Sequence, residues 1–242
     1  MTSIKKEEII NVTEYSKKHE LINNLNEIYD TLPSGDCAGC GKCCMESVSI
    51  NLIEFINILD YLNSNENIKK KSIKKIIEYY FLEYVEKKSC PFKQKDNKCM
   101  IYPVRPLNCR LYGHWLENDY NRNLDNVNNK NKEYQKLVKE QYGFDINEQV
   151  VNYKIEYCNI FKPEKRYLTK AERLEIIDKL FLLDAKIFST NSIDIEFKDR
   201  GIVEYFIEYL LKDELAYKIK IKISKDETIR NIAIKRLKQI LV

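Results

Sequence analysis

Eight cysteines are the residues of this 242-residue chain best suited to chemistry, and half of them lie in one short stretch. That stretch, CAGCGKCC, contributes Cys37, Cys40, Cys43 and Cys44. The C-x2-C-x2-C spacing of its first three allows successive thiolates to surround one centre, and the two intervening glycines permit the positive φ values of a tight loop. In a reducing cytosol, thiols clustered in this way indicate a metal site rather than disulfides.

The other four cysteines lie further along the chain, at Cys90, Cys99, Cys109 and Cys158. Bacterial ferredoxins add to C-x2-C-x2-C a further cysteine that is followed by proline, and here Pro91 follows Cys90. One hypothesis therefore groups Cys90 with Cys37, Cys40 and Cys43, leaving Cys44, Cys99, Cys109 and Cys158 as a second set. Alternatively, one site uses four thiols and the others pack or act in redox chemistry. All eight are candidate metal ligands.

The cysteine spacing bears on which metal is bound. Structural zinc modules usually carry two separated C-x2-C pairs, whereas the triple spacing is shared with cubane clusters. We therefore predict one or two iron-sulfur clusters, of the 4Fe-4S type. Zinc is the alternative, because zinc held by four thiolates would order the same loop and contribute folding free energy without doing chemistry.

Of four polar residues near the cysteines, three have two interpretations each. Arg105 and Arg110 either anchor an anionic substrate or satisfy loop carbonyls and offset thiolate charge, and the second interpretation is favoured. His114 is either a site residue or a packed histidine. Lys42, inside the cysteine loop, is predicted to stay exposed and to compensate charge. The sequence assigns no catalytic residue.

Helical periodicity dominates the rest of the chain. It predicts one or two helices within 4–32, a capped helix from Asn51, and further helices at 66–87, from Thr169, at 201–216 and at 226–241. Residues 47–50 read as a short strand or an extended segment, 90–117 as a loop-rich segment, and the Asn-rich stretch 118–132 as a surface loop or a mobile insertion. The fold class is therefore mainly α, with an irregular cysteine-rich metal-binding centre wrapped by helices and little or no β structure.

Charge and hydropathy exclude several function classes. The 41 basic and 37 acidic residues nearly balance, which argues against a nucleic-acid partner. The longest apolar runs are far shorter than a bilayer span, and the N-terminus lacks an apolar signal core, so we expect a cytoplasmic protein without membrane contact. We therefore expect the partner to be a protein or a small molecule, which the sequence does not identify.

The cysteine motifs resemble the CxxCxxCC cysteine-cluster family, also called YkgJ-like and described as zinc- or iron-chelating. The resemblance rests on CAGCGKCC, on Cys90-Pro91-Phe92, on Cys99 before Ile101-Tyr102, and on the Arg105-Pro-x-x-Cys-Arg element. It runs over about residues 35–170 and includes Cys158. It implies a central cysteine-cluster metal-binding domain at 34–170, between an N-terminal helical segment (1–33) and a C-terminal one (171–242).

Three function classes are compatible with these observations. The first is a cytosolic iron-sulfur protein with an electron-transfer or oxidoreductase-type role. The second is a structural zinc or metal-chelating module that acts through partner proteins. The third is a protein-modifying enzyme, since flagellin lysine-N-methylases are distantly similar around a double cysteine and a C-P-F element. A dinucleotide-binding G-x-G-x-x-G loop is not present among the six glycines.

Overall fold

The structure, a computed structural model, describes residues 4–37, 39–190 and 199–242. Over this part of the chain the α-helices run in order as α1 (Lys6–Lys18), α2 (Leu21–Asp30), α3 (Leu52–Asn63), α4 (Glu66–Leu82), α5 (Leu107–Leu111), α6 (Glu117–Tyr142), α7 (Glu148–Val151), α8 (Lys170–Phe188), α9 (Ile202–Leu210), α10 (Asp213–Lys225) and α11 (Glu227–Leu241). None of these helices is both long and apolar enough to cross a membrane.

The β structure in the described residues consists of two small antiparallel sheets. Strand β1 (Gly35–Asp36) pairs with β3 (Lys162–Pro163), and β2 (Ser49–Ile50) pairs with β4 (Arg200–Gly201). Each pair joins chain segments more than a hundred positions apart, and the predicted mainly α fold class is confirmed.

Helix α3 lies at the centre of the hydrophobic core. Its sequence LIEFINILDYLN is apolar on nearly every face, which is the pattern of a fully buried helix. Ile53, Phe55 and Ile58 have no exposed surface. Helices α2, α4 and α8 pack around it, and the ring of Phe55 stacks on that of Tyr205 in α9 at a centroid distance of 5.0 Å.

Two predicted helix starts are confirmed. Asn51 caps α3 in a capping box with Glu54, and Thr169 caps α8 in the same way with Glu172. The two helices are also joined directly, because Asp184 of α8 accepts hydrogen bonds from the N–H groups of Leu52 (2.8 Å) and Ile53 (2.9 Å) at the start of α3.

The predicted surface loop at 118–132 is wrong, because these residues lie within helix α6. Asparagine is a weak helix former, but tertiary contacts hold the helix at its N-terminal end. The Tyr120 hydroxyl donates to the carbonyl of Ile155 (2.6 Å), and Asp119 forms an ion pair with Arg173 (3.0 Å). Gly143, with φ of 69°, ends the helix in the left-handed conformation.

The remaining helix predictions are confirmed with changed boundaries. Helix α4 ends at Leu82 rather than near residue 87, and the single helix expected at 201–216 is divided into α9 and α10. Between α4 and α6 the chain has only the short helix α5 and two 3-10 turns, as expected of a loop-rich segment. This segment carries three of the eight cysteines.

Candidate metal centre

Three chain segments bring the cysteine side chains together: the loop 37–44, the segment 90–109, and the segment before β3 that contains Cys158. All eight cysteines are free thiols; Cys37 is exposed and the others are half-buried. Glycines shape the first segment, since Gly39 and Gly41 have φ of 60° and 69°. Glycine is favoured at Gly41 by its positive φ, and a Cβ atom there would also displace the end of the Lys93 side chain, 2.7 Å away.

The thiols line two adjoining cavities. The large thiol cavity, of about 320 Å³, is lined by Cys37, Cys43, Cys44, Cys90, Cys99 and Cys109. The small thiol cavity, of about 60 Å³, is lined by Cys37, Cys40, Cys43, Cys109 and Cys158. Every cysteine of the chain therefore faces at least one of the two, and Cys37, Cys43 and Cys109 face both.

The donor chemistry of the cavities fits a thiophilic metal, because thiolate sulfur selects zinc and iron-sulfur clusters over hard cations. Among the described residues, no group of three or more His, Cys, Asp or Glu side chains is already drawn together closely enough to hold a metal ion. The thiols instead line the two adjoining cavities. The side chains that would hold the metal are thus the eight cysteines around these two cavities.

The segment around Cys90 and Cys99 is ordered by backbone hydrogen bonds. The N–H of Cys90 donates to the carbonyl of Cys44 (3.0 Å), and the N–H of Met100 donates to that of Phe92 (2.8 Å). Burial raises the pKa of Cys90 to about 12, while N–H groups of Phe92 and Lys93 that donate to its sulfur lower the pKa. Such N–H donors stabilise a thiolate, the form that binds metal.

Cys109 is positioned by helix α5 and a buried carboxylate. Glu54, 2% exposed, accepts the N–H of Leu107 at the start of α5 (2.6 Å) and the hydroxyl of Tyr29 (2.6 Å). Burial raises the pKa of Glu54 and also, together with nearby sulfurs, that of Cys109. Because Glu54 also caps α3, it connects the core helix to the turn that carries Cys109.

Cys158 reaches the centre through the pairing of β1 with β3. The ring of Phe161 lies where a Cβ on Gly35 or on Gly113 would be, at 2.4 Å in each case, so both positions require glycine. On the surface, Lys42 pairs with Glu156 at 2.5 Å, which links the cysteine loop to the segment before Cys158. The sequence analysis did not identify this role of Phe161. Gly35 and Gly113, in a chain with only six glycines, could have indicated that a large side chain packs against both positions.

Cys43 and Cys44 form a close pair, with their sulfurs 4.0 Å apart. The hydrogen bond from Cys43 lowers the pKa of Cys44 to about 7, and Lys93 and Arg105 act in the same direction. The same contact, with burial, raises the pKa of Cys43. The contact therefore favours a thiolate on Cys44, at the large thiol cavity, over one on Cys43.

The polar residues near the cysteines have different environments. Arg110 donates to the carbonyls of Arg105 (2.8 Å) and Pro103 (2.9 Å). It therefore satisfies loop carbonyls, as the favoured interpretation predicted. Arg105 lines both cavities, and its Nε is buried without a hydrogen-bond partner in the described part of the chain. His114, 2% exposed, packs against Phe161 and lines neither cavity, as expected of a packed histidine.

The two cavities group the cysteines differently from the hypothesis that placed Cys90 with Cys37, Cys40 and Cys43. Cys90 lines only the large thiol cavity, beside Cys44 and Cys99, whereas Cys40 and Cys158 line only the small one. The sequence did not indicate this grouping, because Cys158 is distant from the other cysteines along the chain. The pairing of the two-residue strands β1 and β3 brings it to the small thiol cavity.

A helical frame around thiol-lined cavities fits a metal-binding protein. Residues 36–136 match the model of the CxxCxxCC family, described as "Putative zinc- or iron-chelating domain", and the family resemblance is confirmed over these residues. Cys158 lies beyond the matched range. No match was found among curated proteins or among solved structures.

Proposed function

We propose that this protein binds iron-sulfur clusters in the two thiol cavities and serves in electron transfer or an oxidoreductase-type reaction. The observation that carries the proposal is that eight free thiols, all the cysteines of the chain, line two adjoining cavities. Eight thiolates are the number that two four-cysteine clusters require. A bound cluster would supply one-electron redox chemistry.

The contacts support a specific division of ligands. In the large thiol cavity we assign Cys44, Cys90, Cys99 and Cys109, because the neighbouring sulfurs that act on Cys109 are those of the other three. In the small thiol cavity we assign Cys37, Cys40, Cys43 and Cys158. Cys43 and Cys44 then serve different centres, and their adjacent sulfurs bring the two centres close together.

Charge around the cavities also supports thiolate ligation. Four thiolates around one centre carry excess negative charge, which backbone N–H groups and cations offset. Lys93 and Arg105 line the large thiol cavity, and Lys42 lines the small one. These residues would stabilise the more reduced, more negative form of a bound cluster.

A structural zinc module remains the second candidate, and one observation favours it. The N–H groups that donate to the sulfur of Cys90 would stabilise a zinc thiolate equally well. Zinc in either cavity would order the segment 90–109 and contribute folding free energy, and the protein would then act through partners.

Metal analysis of anaerobically purified protein tests the proposal. We expect brown protein that contains iron and acid-labile sulfide, with a cluster signal in EPR or Mössbauer spectra. Colourless protein with stoichiometric zinc would contradict it and support the second candidate. Adding S-adenosylmethionine to the EPR sample separates electron transfer from a methyl-transfer reaction, because only the latter predicts a changed spectrum.

Two cysteine variants test the division of ligands. Cys90→Ser should remove the cluster of the large thiol cavity and Cys158→Ser that of the small one, so each should lose about half of the iron and sulfide. Met100→Leu, beside Cys99 but without a thiol, is the matched control and should keep both clusters. Unchanged iron content in Cys158→Ser would contradict the second site.

A further inference from the structure

We propose that the surface beside the large thiol cavity docks an acidic electron-carrier protein, which gives one electron to the cluster bound in that cavity. The inference rests on the proposed electron-transfer function and adds the partner and its docking site. In this step the carrier is oxidised by one electron, the cluster is reduced by one, and no covalent bond forms or breaks. The docking site, called here the lysine surface, consists of Lys71, Lys74, Lys75, Lys93, Lys95 and Lys98.

The turn that carries Lys95 and Lys98 is directly followed by Cys99, which we assign as a metal ligand. The N–H of Gln94 donates to the carbonyl of Lys98 (2.8 Å), and Asn97, with φ of 65°, takes the left-handed conformation within the turn. Gln94, Asn97 and Lys98 line the large thiol cavity, and all residues from 94 to 98 are exposed. The turn is therefore on the rim of the cavity, where Cys99 comes closest to the solvent along the chain.

Helix α4 adds lysines to the same surface. The Nζ of Lys75 donates to the carbonyl of Lys93, which places this part of α4 beside the turn. Lys71 precedes Lys75 by about one helical turn and therefore lies on the same side of the helix. Lys74 is next to Lys75 in the sequence, and both Lys71 and Lys74 are exposed. Two separate segments of the chain thus present their lysines together.

The lysine surface concentrates positive charge that the rest of the chain lacks. Residues 66–75 and 93–98 carry eight lysines and two carboxylates, which is a net charge of +6. The whole chain has a net charge of +4, so the residues outside these two segments are net negative. An asymmetry of this kind orients an approaching acidic protein and raises its association rate.

Three of the six lysines are uncommitted and exposed. Lys71, Lys74 and Lys95 form no side-chain hydrogen bond or ion pair in the described part of the chain. Lys98 pairs with Asp96 at 3.4 Å, but these side chains are 78% and 55% exposed, and such a pair is easily exchanged for another carboxylate. These side chains are therefore available to the carboxylates of a partner.

The composition of the surface favours an acidic protein over a nucleic acid. Its cations are all lysines, whereas arginine is preferred where phosphates and bases are bound with fixed geometry. Tyr102, 51% exposed, also lines the large thiol cavity and offers an aromatic contact beside the charges. Transient redox complexes have small interfaces, of less than about 1,200 Å² in total, and charged groups that steer association. A lysine-rich rim with one exposed ring fits an interface of this kind.

Anaerobic stopped-flow reduction by flavodoxin hydroquinone, an acidic one-electron donor, tests the surface on the protein as purified with its metal. The second-order rate constant should fall about tenfold between about 20 mM and about 200 mM NaCl. Changing Lys71→Gln, Lys95→Gln and Lys98→Gln together should lower it about tenfold at the lower salt concentration and much less at the higher one. Lys75 and Lys93 are kept, because their hydrogen bond joins α4 to the turn.

Two controls separate docking from other effects of the substitutions. The methyl viologen radical cation, which needs no acidic docking, should reduce the triple variant at least as fast as the wild-type protein. Lys18→Gln, Lys170→Gln and Lys186→Gln together remove an equal charge at exposed positions that line neither thiol cavity. This control variant should keep the rate with flavodoxin within about twofold.

Carbodiimide cross-linking to flavodoxin, mapped by mass spectrometry, provides a readout that needs no cluster. It joins a flavodoxin carboxylate to a lysine amine as an amide, with loss of water. We expect cross-links at Lys71, Lys95 and Lys98 in excess of those at the control lysines. If metal analysis finds zinc but these cross-links form, the iron-sulfur proposal fails and the docking site for an acidic protein stands.

Several outcomes would overturn the inference. They are a rate with flavodoxin that does not depend on salt, an equal loss of rate in the control variant, or cross-links spread evenly over the exposed lysines. Tighter binding of a DNA duplex than of flavodoxin, lost in the triple variant, would assign the surface to a nucleic acid instead. If flavodoxin reduces neither protein, the cross-linking map decides.

Discussion

The helical frame formed by α3, α4 and α9 and the cysteine-bearing segment between α4 and α6 are ordered by different interactions. In the frame, apolar side chains such as Phe55, Phe81 and Phe206 are almost wholly buried, and burial of apolar surface supplies the free energy. In the cysteine segment the thiols are half-buried around open cavities, and backbone hydrogen bonds maintain the turns. We therefore expect the frame to fold without metal, and the thiols to reach their final positions only when a metal binds.

Two contacts connect these regions. Glu54 reaches from the core helix to the first turn of α5, and Phe161 fills the space left by Gly35 and Gly113. Changes in the frame should therefore lower stability with or without metal, while changes at these contacts should act mainly on metal binding. The following predictions test this difference, from the largest expected effect to the smallest.

Phe55→Ala should cause the largest loss of stability, because it opens a cavity beside the rings of Tyr205 and Phe206. We expect a loss of about 3–5 kcal/mol in the free energy of unfolding. Denaturant unfolding of the metal-free, reduced protein measures it. Leu182→Ala, whose side chain is 64% exposed, is the control and should change stability by less than about 0.5 kcal/mol. A loss below about 1 kcal/mol would contradict a metal-independent frame.

Asp184 should make the stability of the frame depend on pH. Burial raises its pKa to about 6, so the native state binds more protons than the unfolded state between about pH 4 and pH 6. The contribution of this group therefore falls by about 2–3 kcal/mol as the pH rises through that window, and is constant above it.

Unfolding of the metal-free protein at pH 4 and pH 7, compared with Asp184→Asn, measures this effect. The wild-type protein should lose more stability than the variant as the pH rises. Glu54, whose pKa burial also raises, interacts with Asp184, so the difference between the two proteins reports Asp184 together with its coupling to Glu54. An identical pH dependence in the two proteins would contradict the assignment.

Gly35→Ala should weaken the contact that brings Cys158 to the small thiol cavity. The added methyl group would overlap the ring of Phe161, and overpacking of this kind costs about 1–3 kcal/mol. Faster alkylation of Cys158, measured by mass spectrometry, and loss of metal from the small cavity should accompany it. Adding Phe161→Leu removes the overlapping ring atoms and should restore metal binding; failure to do so would exclude this steric mechanism.

Lys42→Gln should have the smallest effect, although Lys42 lies inside the cysteine loop. Its ion pair with Glu156 is formed between side chains that are 53% and 67% exposed, and such pairs contribute little. The rate of metal release to a chelator should change by no more than about fivefold. A larger change would mean that charge at the surface, rather than buried contacts, retains the metal.

Much of this organisation could be predicted from the sequence. The capping boxes at Asn51 and Thr169 identified two helix starts, because a cap is a local interaction between residues three positions apart. The motifs around Cys90, Cys99 and Cys109 predicted the resemblance to the CxxCxxCC family, whose model matches residues 36–136. The Asn-rich stretch was assigned wrongly, because contacts of Tyr120 and Asp119 with distant residues override its low helix propensity.

The sequence by itself determined which side chains are available: eight thiols, glycines where the loop needs positive φ, and a mainly helical chain to position them. Only the tertiary structure decided which thiols share a cavity and which arginine satisfies loop carbonyls. Cys90 lies with Cys44 and Cys99, and Arg110 donates to the carbonyls of Arg105 and Pro103, whereas the Nε of Arg105 has no partner in the described part of the chain. The reason is physical: spacing along a chain fixes local geometry, whereas ligand grouping and hydrogen-bond satisfaction depend on segments that meet only after the helices pack.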